Sequence, residues 1–445
     1  MSVHPVAVEL DAWIDPSLAF AQWAGRHDHC FWLDGEADQS GGWSWVGIGR
    51  PADPREVTSA SLGAGVARPD GWPAGRFRGG WVGWFGYEEG AAVAGAPVHT
   101  DAADAPPALW LRASEWFAFD HGRRRAFFVG HDDGEGPVAP VFAPPTEDGP
   151  PRHPSEGSAL HDTPTPAIAV ARHGADEYAG LIEQCRGHIR EGDAYQLCLT
   201  TRFTVPGAPI DPLAVYLRLR AGSPAPFGAL VRSGGIALLS ASPERFLDVD
   251  GTRVRTSPIK GTRRRSADPR EDAALAAELV RDEKERAENL MIVDLMRNDL
   301  SRVCEPGSIR VEELFAVHSY RQVHQLVSTV SGTLRPGILV SDLLEATFPA
   351  GSMTGAPKLS AMTILHRLEG APRGVFSGCL GWIGEDGGLD LAMIIRSIVA
   401  HPTGAYVGAG GGITWRSVPS AEVAEVALKA RGPLSALGAV LPDGW

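Results

Sequence analysis

Residues 227–256 read "FGALVRSGGIALLSASPERFLDVDGTRVRT", short apolar runs separated by glycine and polar breaks. Runs of this length and punctuation read as successive strands rather than as one helix. The flanking segments extend the pattern in blocks. A helical region follows from about Pro269 to Cys304, and "SYRQVHQLVSTVSGTL" behind it is strand-like. Upstream, "DEYAGLIEQCRGHIREGD" sets Tyr178, Leu181, Ile182, Cys185 and Ile189 on one helical face and stops at Gly192. "AYQLCLTTRFTV" then reads as a strand. Downstream come a glycine-rich loop "FPAGSMTGAPK", a helix "LSAMTILHRLEG", the strands "GVFSGCLGWIG" and "GLDLAMIIRSIVA", then "AYVGAGGGITWRS" and a last helix, "SAEVAEVALKARGPLSAL". Blocks instead of strict alternation predict an α+β fold, with large, mainly antiparallel sheets forming a sandwich-like core flanked by helices.

Composition narrows the class. The chain has 445 residues, 44% of them hydrophobic and 21% charged, ordinary values for a globular protein. Its net charge of −13 argues against general nucleic-acid or anionic-membrane binding. No apolar run is long enough to span a bilayer, the N-terminus lacks signal-peptide character, and the five cysteines show no metal spacing, so a cytoplasmic protein is expected. Residues 1–130 are rich in Trp and Gly and read as an N-terminal region of strands. Residues 131–165 are Pro-, Gly- and acid-rich and read as a flexible insertion or linker, and 166–445 carry the motifs below.

Several of those motifs suit chemistry. "SPIKGTRRR" places Lys260 in a turn-like loop ahead of Arg263, Arg264 and Arg265, so it reads either as one more surface cation or as a held reagent. Glu285 and Glu288, and Glu422 and Glu425 with Lys429, fall at i, i+3 (and i+7) on helices. Each ExxE pair alone reads as a solvated helix face. Beside "NLMIVDLM", however, part of the first must approach the core, where Mg²⁺ would compensate the charge. The loops "FPAGSMTGAPK" and "VGAGGGI" could offer backbone N–H groups to an anion, though neither is a Walker loop or a dinucleotide fingerprint and each alone reads as a structural turn. Arg396 in "MIIRSIV" suits either a buried acid or a ligand carboxylate, and His324 either a hydrogen-bonded core or catalysis. Cys379 reads as a packed strand thiol.

Taken in order, "GDAYQLCLTTRF", "SPERFL", "SPIKGTRRR", "KERAENLMIVDLMRNDL", "VHQLVSTVSG", "FPAGSMTGAPK", "IIRSIV" and "GAGGGI…SAEVAEVALKA" resemble the chorismate-utilising enzymes. That family comprises the anthranilate, aminodeoxychorismate, isochorismate and salicylate synthases. The resemblance covers roughly 175–435, and more loosely the N-terminal part. It implies one Mg²⁺-dependent site for chorismate, with 166–445 as the catalytic domain. Glu288 and Glu425 would bind the metal directly, Glu285 and Glu422 through water. Glu244 would be the general acid that protonates the departing C4 hydroxyl. Arg396 and the amides around Gly410 and Gly412 would grip substrate carboxylates. Gly261, Thr262, His324, Ser352 and Lys429 would line the pocket. Phe376 stands where many members have Tyr.

Two positions then choose the reaction. Gln196 stands where the water-using members carry a lysine base, which favours ammonia as nucleophile. Lys260 of "PIKGT" is the mark of aminodeoxychorismate synthase component I, where the amine attacks C2 as the C4 hydroxyl departs, and ammonia then attacks C4 and expels the lysine from C2. An ordinary lysine, with a pKa near ~10.4, is protonated at neutral pH, so burial, magnesium and the neighbouring arginines are expected to depress it. The chain shows no Cys-His-Glu amidotransferase machinery, so a glutamine amidotransferase subunit is the expected partner. The alternatives are an anthranilate-type or aminodeoxyisochorismate synthase and an inactive amidotransferase-binding scaffold. The product would feed para-aminobenzoate and folate or a related secondary metabolite.

Overall fold

The computed structural model describes residues 5–35, 42–63, 71–100, 104–131, 136–142, 166–320 and 323–445. Most of the expected linker at 131–165 lies outside them. The expected α+β architecture is present: among the described residues twenty strands join in one hydrogen-bonded network, and helices cover it. Among the described residues no helix is long and apolar enough to cross a membrane.

The stretch 227–256 contributes four strands to this network. Phe227–Ser233 and Ile236–Ser242 make a hairpin whose turn, Gly234-Gly235, has φ of 58° and 83° at its two residues. Such a left-handed pair matches the strand twist and suits glycine. One side continues antiparallel through Ser397–His401 and the glycine strand Gly404–Ile413 to Gln196–Pro206. The other side pairs with Cys30–Asp34, which reaches the tryptophan-rich strands Trp43–Ala52 and Ala108–Asp120. These lead on through Gly80–Phe85, Cys379–Gly384 and Leu389–Met393 to Arg245–Asp250, Arg253–Ser257 and Val323–Thr333. Strands from the first 130 residues and from the motif-bearing part thus share ladders.

The pleat explains the layers. Leu230 and Leu239 pack with the helices at 175–191, 212–222 and 419–436 on one face. Their neighbours Val231 and Leu238 point the other way, into a core with Trp84, Trp116 and Trp382 from the facing strands. The far face of those strands takes Ile292, Val293 and Met296 of the helix Glu283–Ser301. Strands buried on both faces are apolar almost throughout, which is why 227–242 shows little alternation.

Local rules hold at several ends. The helix Ala175–Glu191 stops at Gly192, whose φ of 87° is a left-handed cap. The helical region expected from Pro269 to Cys304 divides at Asp282, which ends Pro269–Arg281 and caps Glu283–Ser301 by accepting from the amides of Lys284 and Glu285.

One buried polar hub was not anticipated. Glu369 accepts from the Thr200 amide and hydroxyl, both at 2.9 Å, and pairs with Arg373 at 2.7 Å. Arg373 also donates to the carbonyls of Cys198 and Met353. Arg373→Ala leaves a buried carboxylate without its cation and costs about 3–5 kcal/mol of stability. Urea unfolding against wild type measures it, and a loss under about 1 kcal/mol would mean that water replaces the guanidinium.

Candidate active site

Lys260 does not sit in a loop. Residues 259–264 form a strand on Val323–Thr333, with Ile259 opposite Val327 and Thr262 opposite Gln325. Two residues, Lys260 and Gly261, therefore oppose Leu326 alone, which is a bulge, and a bulge re-aims the side chain that it carries. Gly261 has φ of 85°, and a Cβ there would come within 2.8 Å of Leu279 and 3.1 Å of Glu285. Only glycine lets the two helices approach this strand so closely.

The re-aimed amine arrives at the glycine strand. "VGAGGGI" is itself this strand, fully paired with Gln196–Pro206 on one edge, whereas Ser397–His401 covers its other edge only as far as Val407. Gly410 and Gly412 lie on the uncovered stretch and are partly exposed. A Cβ at Gly412 would be 2.1 Å from Gln196 Nε2 and 3.6 Å from Lys260 Nζ, so three distant segments meet over that missing side chain. Gln196 is fully buried, yet both its amide atoms lack a hydrogen-bond partner. A buried primary amide left so points to a polar ligand at this spot. Phe376 packs its ring on Gly408, where a Cβ would come within 2.1 Å.

Glu244 precedes the strand Arg245–Asp250 and is buried. Burial pushes its carboxyl upward, against Lys260, the Ser352 hydroxyl and the Ile259 amide, which favour the charged form. The net direction is upward, so the carboxyl holds its proton more firmly than a free one, as a proton donor requires.

The amine behaves differently from the expectation. Burial does pull the Lys260 pKa down, but the carboxylates of Glu288, Glu244 and Glu425, together with Cys198, outweigh it and the net direction is upward. The arginines do not help, because each has its own acid. Arg263 binds Glu278 and Asp282, Arg264 binds Glu271, and Arg265 binds Asp272. The basic run rivets the Lys260 strand to the helix Pro269–Arg281.

The two ExxE helices converge, as the family resemblance implied, with Lys284 touching Glu288 and Glu422. Glu288 and Glu422 are buried, and Glu422 Oε2 lies 3.4 Å from where a Gly411 Cβ would be. Burial raises the carboxyls of Glu285 and Glu288. Burial also opposes the charge on Glu425, but Lys429 at 2.7 Å prevails and lowers it. Lys429 donates as well to the Gly410 carbonyl at 2.8 Å. Glu288 Oε1 is buried without a hydrogen-bond donor. Four carboxylates, one with an orphaned oxygen, fit a hard divalent cation such as Mg²⁺. Among the described residues, the group of three ligands drawn within 4.8 Å of one another is instead His188, Glu191 and Asp193, where the imidazole already binds Asp193 at 2.7 Å.

The remaining candidates separate. Arg396 lies in the break between Leu389–Met393 and Ser397–His401, with φ of 52°, rather than inside a strand. Among the described residues its side chain makes no hydrogen bond or ion pair, and burial lowers its pKa with Glu425 opposing. A guanidinium so placed suits a ligand carboxylate. Ser352 belongs to the site through Glu244, and Thr262 lies exposed beside Gly261. His324 is held in the arginine clamp: its ring nitrogens meet Ser319 Oγ at 2.7 Å and Asp272 Oδ1 at 3.0 Å. Lys284, which the sequence did not single out, stands between the two acidic helices, 3.4 Å from Glu422 and 3.8 Å from Glu288. Its only sequence signal is its place one residue before Glu285.

Residues 43–435 match the family model described as chorismate binding enzyme. The chain is 44% identical over 369 residues to aminodeoxychorismate synthase of Streptomyces pristinaespiralis, a match covering 80% of this chain and 50% of that protein. It is 38% identical over 375 residues to aminodeoxychorismate synthase component 1 of Klebsiella aerogenes, covering 84% of this chain and 80% of that one. The chain thus spans about half the length of the Streptomyces relative. Anthranilate synthase component I from Streptococcus pneumoniae TIGR4 superposes with a TM-score of 0.69 at 27% identity, over 98% of this chain and 93% of that one.

Proposed function

Because the chain belongs to the chorismate binding enzyme family, we propose that it replaces the C4 hydroxyl of chorismate with an amino group, forming 4-amino-4-deoxychorismate. The observation that carries this reading is the Lys260 amine, turned by a bulge to the uncovered edge of the glycine strand beside Gln196 and facing the charge of Glu244. The names of the Streptomyces and Klebsiella relatives support the same product. "Component 1" in the second supports a further component, which we take to be a glutamine amidotransferase that delivers ammonia. Five free, buried cysteines support a reducing, cytosolic setting.

In this reading Arg396 and the open edge at Gly410 and Gly412 hold the substrate carboxylates. Glu244 gives its proton to the C4 hydroxyl, which leaves as water while the neutral Lys260 amine bonds to C2. The proton freed at the lysine nitrogen restores Glu244. Ammonia then bonds to C4 as the C2–N bond breaks, and the proton it sheds goes to the departing amine. Mg²⁺, held by Glu288 and Glu425 with Glu285 and Glu422 reaching it through water, would supply positive charge at the ring carboxylate and the leaving hydroxyl. Glu288 and Glu425 are among the charges that keep Lys260 protonated, so their neutralisation is what the amine needs.

The test is mass spectrometry of the product from purified chain, chorismate, Mg²⁺ and ammonium. 4-Amino-4-deoxychorismate is expected. Anthranilate or isochorismate as the main product would overturn the assignment, and no turnover at any metal concentration would favour the inactive scaffold.

A further inference from the structure

Lys284 opens the helix Glu283–Ser301, and no role above uses it. Its ammonium touches Glu288 of its own helix and Glu422 of the other, the one ion-pair bridge between these two helices among the described residues. Facing carboxylates repel, so a chain without metal must supply its own counter-charge. Three lysines are near enough. Lys429 is pinned by Glu425 and the Gly410 carbonyl, and Lys260 is aimed at the glycine strand. Lys284 differs from both. Its side chain is 41% exposed, its 3.4 Å contact is loose, and its 3.8 Å contact leaves Glu288 Oε1 without a hydrogen bond. A flexible four-carbon stem at the rim can withdraw into water at little cost.

We propose that Lys284 is a built-in counter-ion, which fills the gap between Glu288 and Glu422 and is expelled to solvent when a divalent cation enters, so that it sets the metal affinity of the site. The inference rests on the reading of the four glutamates as a metal site. Its signature is the sign of the effect. Cutting a purely structural bridge loosens metal binding, whereas removing a competing cation tightens it.

Isothermal titration of Mg²⁺ into the metal-free full chain tests both readings, with thermal melting as a second readout. Wild type is expected to bind saturably and Glu288→Gln to lose that binding. Lys284→Met is expected to bind about tenfold tighter, ~1.4 kcal/mol. Its metal-free form should melt lower and its metal-induced rise should be larger, while Lys284→Arg stays near wild type. Unchanged or weaker binding by Lys284→Met, beside normal binding by wild type, overturns the counter-ion. Absence of saturable binding in wild type overturns the metal reading beneath it. Should Lys284→Met fail to fold, Lys284→Gln carries the same comparison.

Discussion

Lys260→Ala is expected to lower the rate of 4-amino-4-deoxychorismate formation by about three orders of magnitude, roughly 4 kcal/mol in the barrier. The bulge aims one amine at the site, and Gln196, the nearest other nitrogen to the Gly412 position, belongs to an amide with no nucleophilic lone pair to offer. Alanine removes the nucleophile and also a cation that faces Glu288, Glu244 and Glu425. Lys260→Arg separates these roles. It keeps the charge but stays protonated, so it should be as inactive as alanine if bond formation is the point and largely active if charge alone matters. Quenched-flow mass spectrometry should find an adduct on the peptide containing Lys260 in wild type only. Undiminished turnover by Lys260→Ala would remove the covalent role and leave the product assignment standing.

The second large effect is expected at Glu288→Gln, which should cut turnover by a factor of about 10³ or more and abolish saturable Mg²⁺ binding. Glutamine keeps the shape of the side chain, so the helix packing through Ile292, Val293 and Met296 survives. The metal-free protein should melt within a few degrees of wild type, because a carboxylate whose charge is opposed by burial is replaced by a neutral group. Loss of activity with intact metal binding would show that Glu288 acts on substrate, and a collapse of the melting temperature would show a structural role.

Much of this site was legible in the chain. The stop at Gly192, the block order of strands and helices, and the two acidic helices all follow from local patterns that operate within a few residues. The bulge at Lys260 was not legible, because it exists only relative to a partner strand at 323–333. "SPIKGT" looks like a turn for the same residues, Pro258 and Gly261, that make it an irregular strand. The glycines of "VGAGGGI" read as a loop because low side-chain content resembles a turn, and only ladder pairing with Gln196–Pro206 shows them to be a strand that others can approach closely. The arginines' expected share in lowering the Lys260 pKa is missing for an electrostatic reason. Interaction falls with distance, and the arginines three to five positions along the chain spend their charge on Glu271, Asp272, Glu278 and Asp282.

By itself, then, the order of residues determined the fold class, the family resemblance and the kinds of group available: an amine, an acid, four paired carboxylates and a lone arginine. Tertiary structure alone decided which of them meet. It brought Lys260 to Gln196 over the missing side chain of Gly412, gave His324 to Asp272, left Arg396 without an ion pair among the described residues, and set Lys284 between Glu288 and Glu422. Periodicity and capping are settled by neighbours in the chain. Contact, burial and charge balance depend on ångström distances between residues far apart in it, and only the packed sheet sets those.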